Sequence, residues 1–125
     1  MTKPPYRKPN YGFVYAMRHN PTQKVYIGLT TRNPEGRLKN HIKNLRANRN
    51  TALAMQEDFN KFGEDYSFFI LERIPTSMYV HREMYWQLVF RTYDPLHGYN
   101  HSMRDAKPPD LEDFEEYTLE WRDKR

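Results

Sequence analysis

The sequence predicts an α+β domain with the element order β-β-α-α-β-α, followed by an acidic, helical C-terminal tail. Three observations carry this. Two short runs rich in β-formers, "YGFVYAM" (11–17) and "KVYIGL" (24–29), flank a segment with turn chemistry, as in an antiparallel hairpin. The hydrophobic period then changes to that of a helix, twice in succession. A nearly continuous apolar and aromatic run, "YSFFILERI" (66–74), lies between the helical patterns and reads as a buried strand.

The elements follow in order. Pro4, Pro5 and Pro9 resist both helix and central strand, so residues 1–10 read as an extended arm. Asn20-Pro21 in "RHNPTQ" (18–23) turns the hairpin. Asn33 is a good N-cap, Pro34 suits the first helical position and Glu35 favours the first turn. Leu38, Ile42 and Leu45 then recur as a narrow apolar stripe, opposite a face holding Arg37, Lys39, Lys43 and Arg46. A second helix is predicted over about 51–62, with Ala52, Met55, Phe59 and Phe62 on one face and Gly63 ending it. A third runs from Ser77 to about Thr92 and is apolar on most sides, as a core helix would be. "YDPLHGYN" (93–100) reads as a loop. Pro108-Pro109 set off an amphipathic segment at 110–123 with Leu111, Phe114, Leu119 and Trp121.

The chain has 125 residues, 38% of them hydrophobic and 15% aromatic, which suits one core and argues against wholesale disorder. No stretch is apolar enough to span a bilayer, and the first ten residues lack the apolar centre of a secretory signal. A cytoplasmic setting, in a bacterial or phage-infected cell, is expected. The absence of cysteine excludes disulfides and thiolate zinc sites. Charge is unevenly spread. Residues 1–50 hold eleven Lys/Arg and a single acid, Glu35, a net of +10, whereas 51–100 and 101–125 are each net −3. A strongly basic first half suits a polyanion, although a solvated basic face accounts for it equally well.

Glu83 stands out in the third helix, with Tyr79, Val80 and Trp86 as its helical neighbours. A carboxylate on so apolar a face needs an arginine, hydrogen-bond donors or a metal ion. An ion pair with an arginine is the commonest solution. Arg37 and His41 share one face of the first helix at i and i+4. Tyr15 and Tyr26 taken alone are ordinary strand residues.

Order and spacing together change that reading. "GFVY" (12–15), "VYIG" (25–28), "GRLKNH" (36–41), "REMYW" (82–86) and "GYN" (98–100) resemble, in sequence order, the motifs of the GIY-YIG nuclease family, and within it the nuclease domain of phage-type homing endonucleases. "FNKFGEDYSFFILERI" (59–74) is similar to that family's link between its second helix and third strand. The first tripeptide is Phe13-Val14-Tyr15 instead of Gly-Ile-Tyr, and its tyrosine is kept. The resemblance covers roughly 11–100, leaving 1–10 as a basic arm and 101–125 as an acidic extension.

The resemblance implies a small three-stranded antiparallel sheet flanked by helices. It implies hydrolysis of DNA phosphodiesters with one divalent ion, Mg²⁺ or Mn²⁺. Glu83 is then the metal ligand, and Arg37 meets the phosphate. Tyr15 contacts or deprotonates the water with help from His41 or from the positive field of the metal, and Tyr26 orients water or phosphate. Asn100 bonds either Glu83 or backbone to hold the site together. Gly28 permits close approach of backbone or DNA beside Tyr26. Lys39, Lys43, Arg46 and Arg49, with Lys3, Arg7 and Lys8 of the arm, are the candidate DNA backbone contacts. Two alternatives stay open: a DNA-binding module that does not cleave, and a protein-interaction subunit. A homodimer or protein partner reached through the C-terminal extension is also open.

Overall fold

The computed structural model describes residues 10–100. The arm cations Lys3, Arg7 and Lys8 and the extension 101–125 lie outside the described residues. The elements run β1 (Tyr11–His19), β2 (Lys24–Thr30), α1 (Pro34–Arg46), α2 (Leu53–Phe62), β3 (Tyr66–Pro75) and α3 (Tyr79–Phe90). The three strands form one antiparallel sheet in the order β2-β1-β3, so β1 is central and the predicted β-β-α-α-β-α order is observed.

Alternation along β1 explains the layering, because successive side chains point to opposite faces. Tyr15 and Met17 face one way, into a core with Leu38, Ile42 and Leu45 of α1, Met55 of α2 and Phe68 of β3. Val14 and Ala16 face the other way, into a core with Val25, Ile27, Phe69, Ile74 and Phe90, against which Tyr79, Trp86 and Val89 of α3 pack. The sheet is therefore covered by α1 and α2 on one side and by α3 on the other.

The helix signals of α1 act as their chemistry predicts. The Asn33 side chain accepts the Glu35 N–H at 2.9 Å and Pro34 opens the helix. α2 starts later than the sequence suggests, at Leu53. Asn50 takes up the preceding turn, its side chain accepting the Ala52 N–H at 2.8 Å. Phe62, expected on the buried face, is 49% exposed, whereas Met55 is fully buried. Gly63 ends α2 with φ of +89°, a conformation that favours glycine.

α3 departs from its expected character. A 3₁₀ turn, Thr76–Met78, occupies its predicted start. It is also no core helix: Val80, Met84, Tyr85 and Leu88 are exposed and only Phe90 of its residues is fully buried. The sheet presents one face to α3, so one side of the helix is covered and the other is not. The segment read as a loop has one regular feature. Val25 N–H donates to His97 O and Tyr99 N–H to Val25 O, each at 3.0 Å, forming a parallel bridge at Gly98 on the outer edge of β2.

The β1–β3 ladder carries one irregularity that re-aims charged side chains. Its pairing shifts between Val14 and Tyr15: Val14 faces Glu72 and Tyr15 faces Ile70, leaving Leu71 as an extra residue. This is a β-bulge, which inverts the facing of the residues beyond it. Ile70 and Arg73 consequently share the Tyr15 face. Glu72 turns to the α3 face, where it accepts hydrogen bonds from Arg82 at 2.8–3.0 Å and from Trp86 Nε1 at 2.7 Å.

Candidate active site

Tyr15 lies at the centre of the first core. It is fully buried, with its ring stacked on Phe68 at 5.0 Å. Its hydroxyl is 2.6 Å from His41 Nε2. Tyr26 is half-buried. Its ring meets Tyr15 at 6.3 Å and His41 edge-on at 5.3 Å. Gly28 pairs across the sheet with Tyr15. A Cβ there would collide with the Tyr15 phenol and lie 2.9 Å from Tyr26 Cε2. The close approach at Gly28 is thus made by Tyr15 itself, with the Tyr26 ring alongside.

His41 keeps its place on the Arg37 face of α1, yet it is only 6% exposed. Burial, and then the Arg37 guanidinium, hold its pKa down from 6.5 to about 3, so the ring is neutral near neutral pH. A neutral ring can leave Nε2 unprotonated to accept the Tyr15 O–H. Burial raises the Tyr15 pKa strongly, aided by Tyr26 and Glu83 and opposed by Arg37. Burial also raises that of Tyr26, against Arg37 and with Glu83. Both phenols are therefore protonated at neutral pH. Arg37 is the cation and Glu83 the anion whose fields meet at this pair.

Glu83 is half-buried and, among the described residues, has no hydrogen-bond or ion-pair partner. Among the described residues, the arginine pair that the sequence suggests for it does not form. Arg82, the residue before it, is held by Glu72. The two carboxyls respond differently to their surroundings. Burial alone raises the Glu83 pKa. Burial pulls Glu72 upward too, but hydrogen bonds from Arg82 and Trp86 outweigh it and hold Glu72 below its ordinary value. The Glu72 clasp thus occupies the arginine that neighbours Glu83 in the sequence. It also ties α3 to the sheet through residues on either side of Glu83.

Asn100 takes the backbone option. Its Oδ1 accepts the Ile27 N–H at 2.7 Å and its Nδ2 donates to Ile27 O at 2.9 Å, as a neighbouring strand would. It braces the β2 edge between Tyr26 and Gly28 and makes no hydrogen bond to Glu83. Tyr99 secures the same segment, its hydroxyl donating to Asp58 at 2.8 Å.

A cleft of about 610 Å³ opens beside Arg37, lined also by Thr30, Arg32, Asn33, Gly36 and Asn40. Arg32 and Asn40 carry no motif of their own; the one signal in the sequence is their nearness to the α1 N-cap and to Arg37. Lys39, Lys43, Arg46 and Arg49 are exposed on α1 and just beyond it. Lys39 lies 3.5 Å from Glu35. Arg46 is held by both oxygens of Glu64, at 2.6 and 2.7 Å, so it reaches a phosphate only if that pair opens.

The paired tyrosines, the Arg37 and His41 face, Glu83 and Asn100 all lie within one match to known proteins. The family model for the GIY-YIG catalytic domain covers residues 11–100. The chain belongs to the GIY-YIG catalytic domain family. It is 30% identical over 89 residues to Intron-associated endonuclease 1 of Enterobacteria phage T4, covering 70% of this chain and 35% of that protein, so it spans about a third of that relative. This GIY-YIG fold is also similar to the catalytic domain of homing endonuclease I-TevI, with a TM-score of 0.63 and 28% identity, covering 70% of this chain and 95% of that one. A Glu-to-Ala mutant of the I-TevI catalytic domain gives a TM-score of 0.65 at 27% identity, covering 79% and 99%. No helix among the described residues is long and apolar enough to cross a membrane.

Proposed function

We propose that this GIY-YIG domain is a divalent-metal-dependent DNA endonuclease that hydrolyses phosphodiester bonds with a single metal ion. The observation that carries the reading is Glu83: a half-buried carboxylate with no partner among the described residues, whose charge is felt at both tyrosine hydroxyls. Keeping such a group unpaired is costly unless a cation completes it. Among the described residues no three acidic or histidine side chains gather into a metal cluster. One carboxylate, with water and phosphate oxygens, suits a hard ion such as Mg²⁺ or Mn²⁺. Glu83 would hold it. When bound, such an ion supplies Lewis acidity to the phosphoryl group and lowers the pKa of a water.

The remaining work falls to the chain. Arg37, at the cleft wall, neutralises the phosphoryl oxygens and can meet two of them through its planar guanidinium. Tyr26, the accessible tyrosine, orients the attacking water. Tyr15 is enclosed, so direct contact with that water passes to Tyr26. The Tyr15–His41 hydrogen bond fixes the buried phenol behind Tyr26. With its pKa held at about 3, His41 acts there as the neutral acceptor that orients the phenol and not as a base. Asn100 and Gly28 keep the strand and ring positions that this requires. Lys39, Lys43 and Arg49 contribute backbone contacts whose strength falls with salt.

The test is nicking of supercoiled plasmid by the purified chain in Mg²⁺ and in EDTA. Nicking with Mg²⁺ and none in EDTA is expected. DNA binding without nicking under any divalent ion would support the non-cleaving alternative instead.

A further inference from the structure

We propose that Tyr11, Phe13 and Arg73 form a stacking subsite for one unpaired base of the strand that enters the Arg37 cleft. The inference rests on the nuclease reading and adds the form of nucleic acid that the site accepts.

The placement follows from strand parity. Tyr11 and Phe13 precede Tyr15 by four and two residues, so all three face the same side of the sheet. Arg73 pairs with Phe13, and the bulge at Leu71 brings it to that face as well. α1 and α2 cover the face around Tyr15 and Met17 but leave this end open: Tyr11 is 46% exposed, Phe13 half-buried and Arg73 exposed.

The local chemistry suits a base. The Arg73 guanidinium carbon lies 3.7 Å from the centre of the Tyr11 ring, a cation–π contact between two exposed residues. Tyr11 and Phe13 meet edge-on at 6.3 Å. No carboxylate pairs with Arg73 among the described residues, because its neighbour Glu72 points to the other face and is occupied by Arg82 and Trp86. A phosphate alone would need the cation but not two rings. A nucleobase uses both, stacking on the planes while the guanidinium edge donates hydrogen bonds.

The position links the platform to the chemistry. Phe13 pairs with Thr30, which lines the cleft with Arg32 and Arg37. Phe13 and Tyr15, two residues apart on β1, are about 7 Å from each other, so the platform adjoins the tyrosine site. Bases inside a duplex are covered on both faces, so only an unstacked base can dock here. The expected substrate is therefore DNA with a single-stranded or locally opened stretch beside the cleavage point.

The experiment measures binding by fluorescence anisotropy in EDTA, using a labelled oligothymidylate and a labelled duplex of equal length. Tyr11→Leu/Phe13→Leu should weaken single-strand binding about 5- to 100-fold, in line with the loss of base stacking, and duplex binding by less than about twofold. Arg73→Lys should also weaken single-strand binding, since an ammonium keeps the charge but lacks the plane. Thermal melting by circular dichroism checks that each variant is folded. Single-strand affinity unchanged in Tyr11→Leu/Phe13→Leu, equal losses on both DNAs, or full affinity in Arg73→Lys would each overturn the platform while wild-type nicking leaves the nuclease reading standing. A wild-type chain that binds neither DNA and nicks no plasmid overturns both.

Discussion

Acid should destabilise this protein through His41 specifically. The ring is 6% exposed and bonded to Tyr15, and its burial, with the Arg37 charge, holds its pKa at about 3 against 6.5 for a free histidine. Above pH 6.5 the ring is neutral in both the folded and the unfolded chain. Below it the unfolded chain binds a proton that the folded protein refuses, so stability falls as pH falls. At pH 5 the unfolded histidine is about 1.5 pH units below its midpoint, which amounts to about 2 kcal/mol lost relative to pH 7. Any folded pKa below about 4 gives the same figure at that pH. A domain of this size has roughly 5–15 kcal/mol to lose, so the effect is measurable. The assay is urea unfolding at pH 7 and pH 5 for wild type and His41→Gln, which cancels the titration of the carboxylates common to both. Wild type should lose about 2 kcal/mol more than the variant. Equal losses would refute the burial and charge argument for His41.

Other substitutions probe the site piece by piece. Gly28→Ala places a methyl against the buried Tyr15 phenol and should cost about 1–3 kcal/mol in denaturant unfolding. Tyr15→Phe leaves His41 Nε2 buried without its partner, and a loss of about 1–3 kcal/mol is expected in the same assay. Tyr26→Phe should leave stability near wild type and show itself as a loss of nicking rate; the reverse pattern would exchange the roles of the two tyrosines. Asn100→Ala strips both partners from the Ile27 backbone and should lower the melting midpoint, which calorimetry can follow.

Much of the fold is legible in the sequence because local signals and packing agree. Asn33, Pro34 and Glu35 cap α1, and the Leu38, Ile42 and Leu45 stripe is buried. The hairpin and β3 follow from β-branched and aromatic runs. α3 defeats the same reasoning, because composition alone cannot tell a helix covered all round from one covered on a single side. Tyr15 and Tyr26 look equivalent along the chain. Their different burial arises from position in the sheet: Tyr15 is on the central strand and Tyr26 on an edge strand. The Leu71 bulge leaves no mark in the hydrophobic pattern, yet it decides where Glu72 and Arg73 point. Asn100 is legible as a site residue through motif order, while its choice of Ile27 over Glu83 requires the β2 edge in three dimensions.

Everything proposed for the chemistry turns on Glu83 lacking a protein partner so that a divalent ion can take that place. Wild type and Glu83→Ala are to be compared for the Mg²⁺-induced rise in melting midpoint and for plasmid nicking. The variant should be as stable as wild type without metal, gain nothing from Mg²⁺ and fail to nick. A Glu83→Ala protein that nicks at the wild-type rate, or that Mg²⁺ stabilises as much as wild type, would show that Glu83 is not the metal ligand.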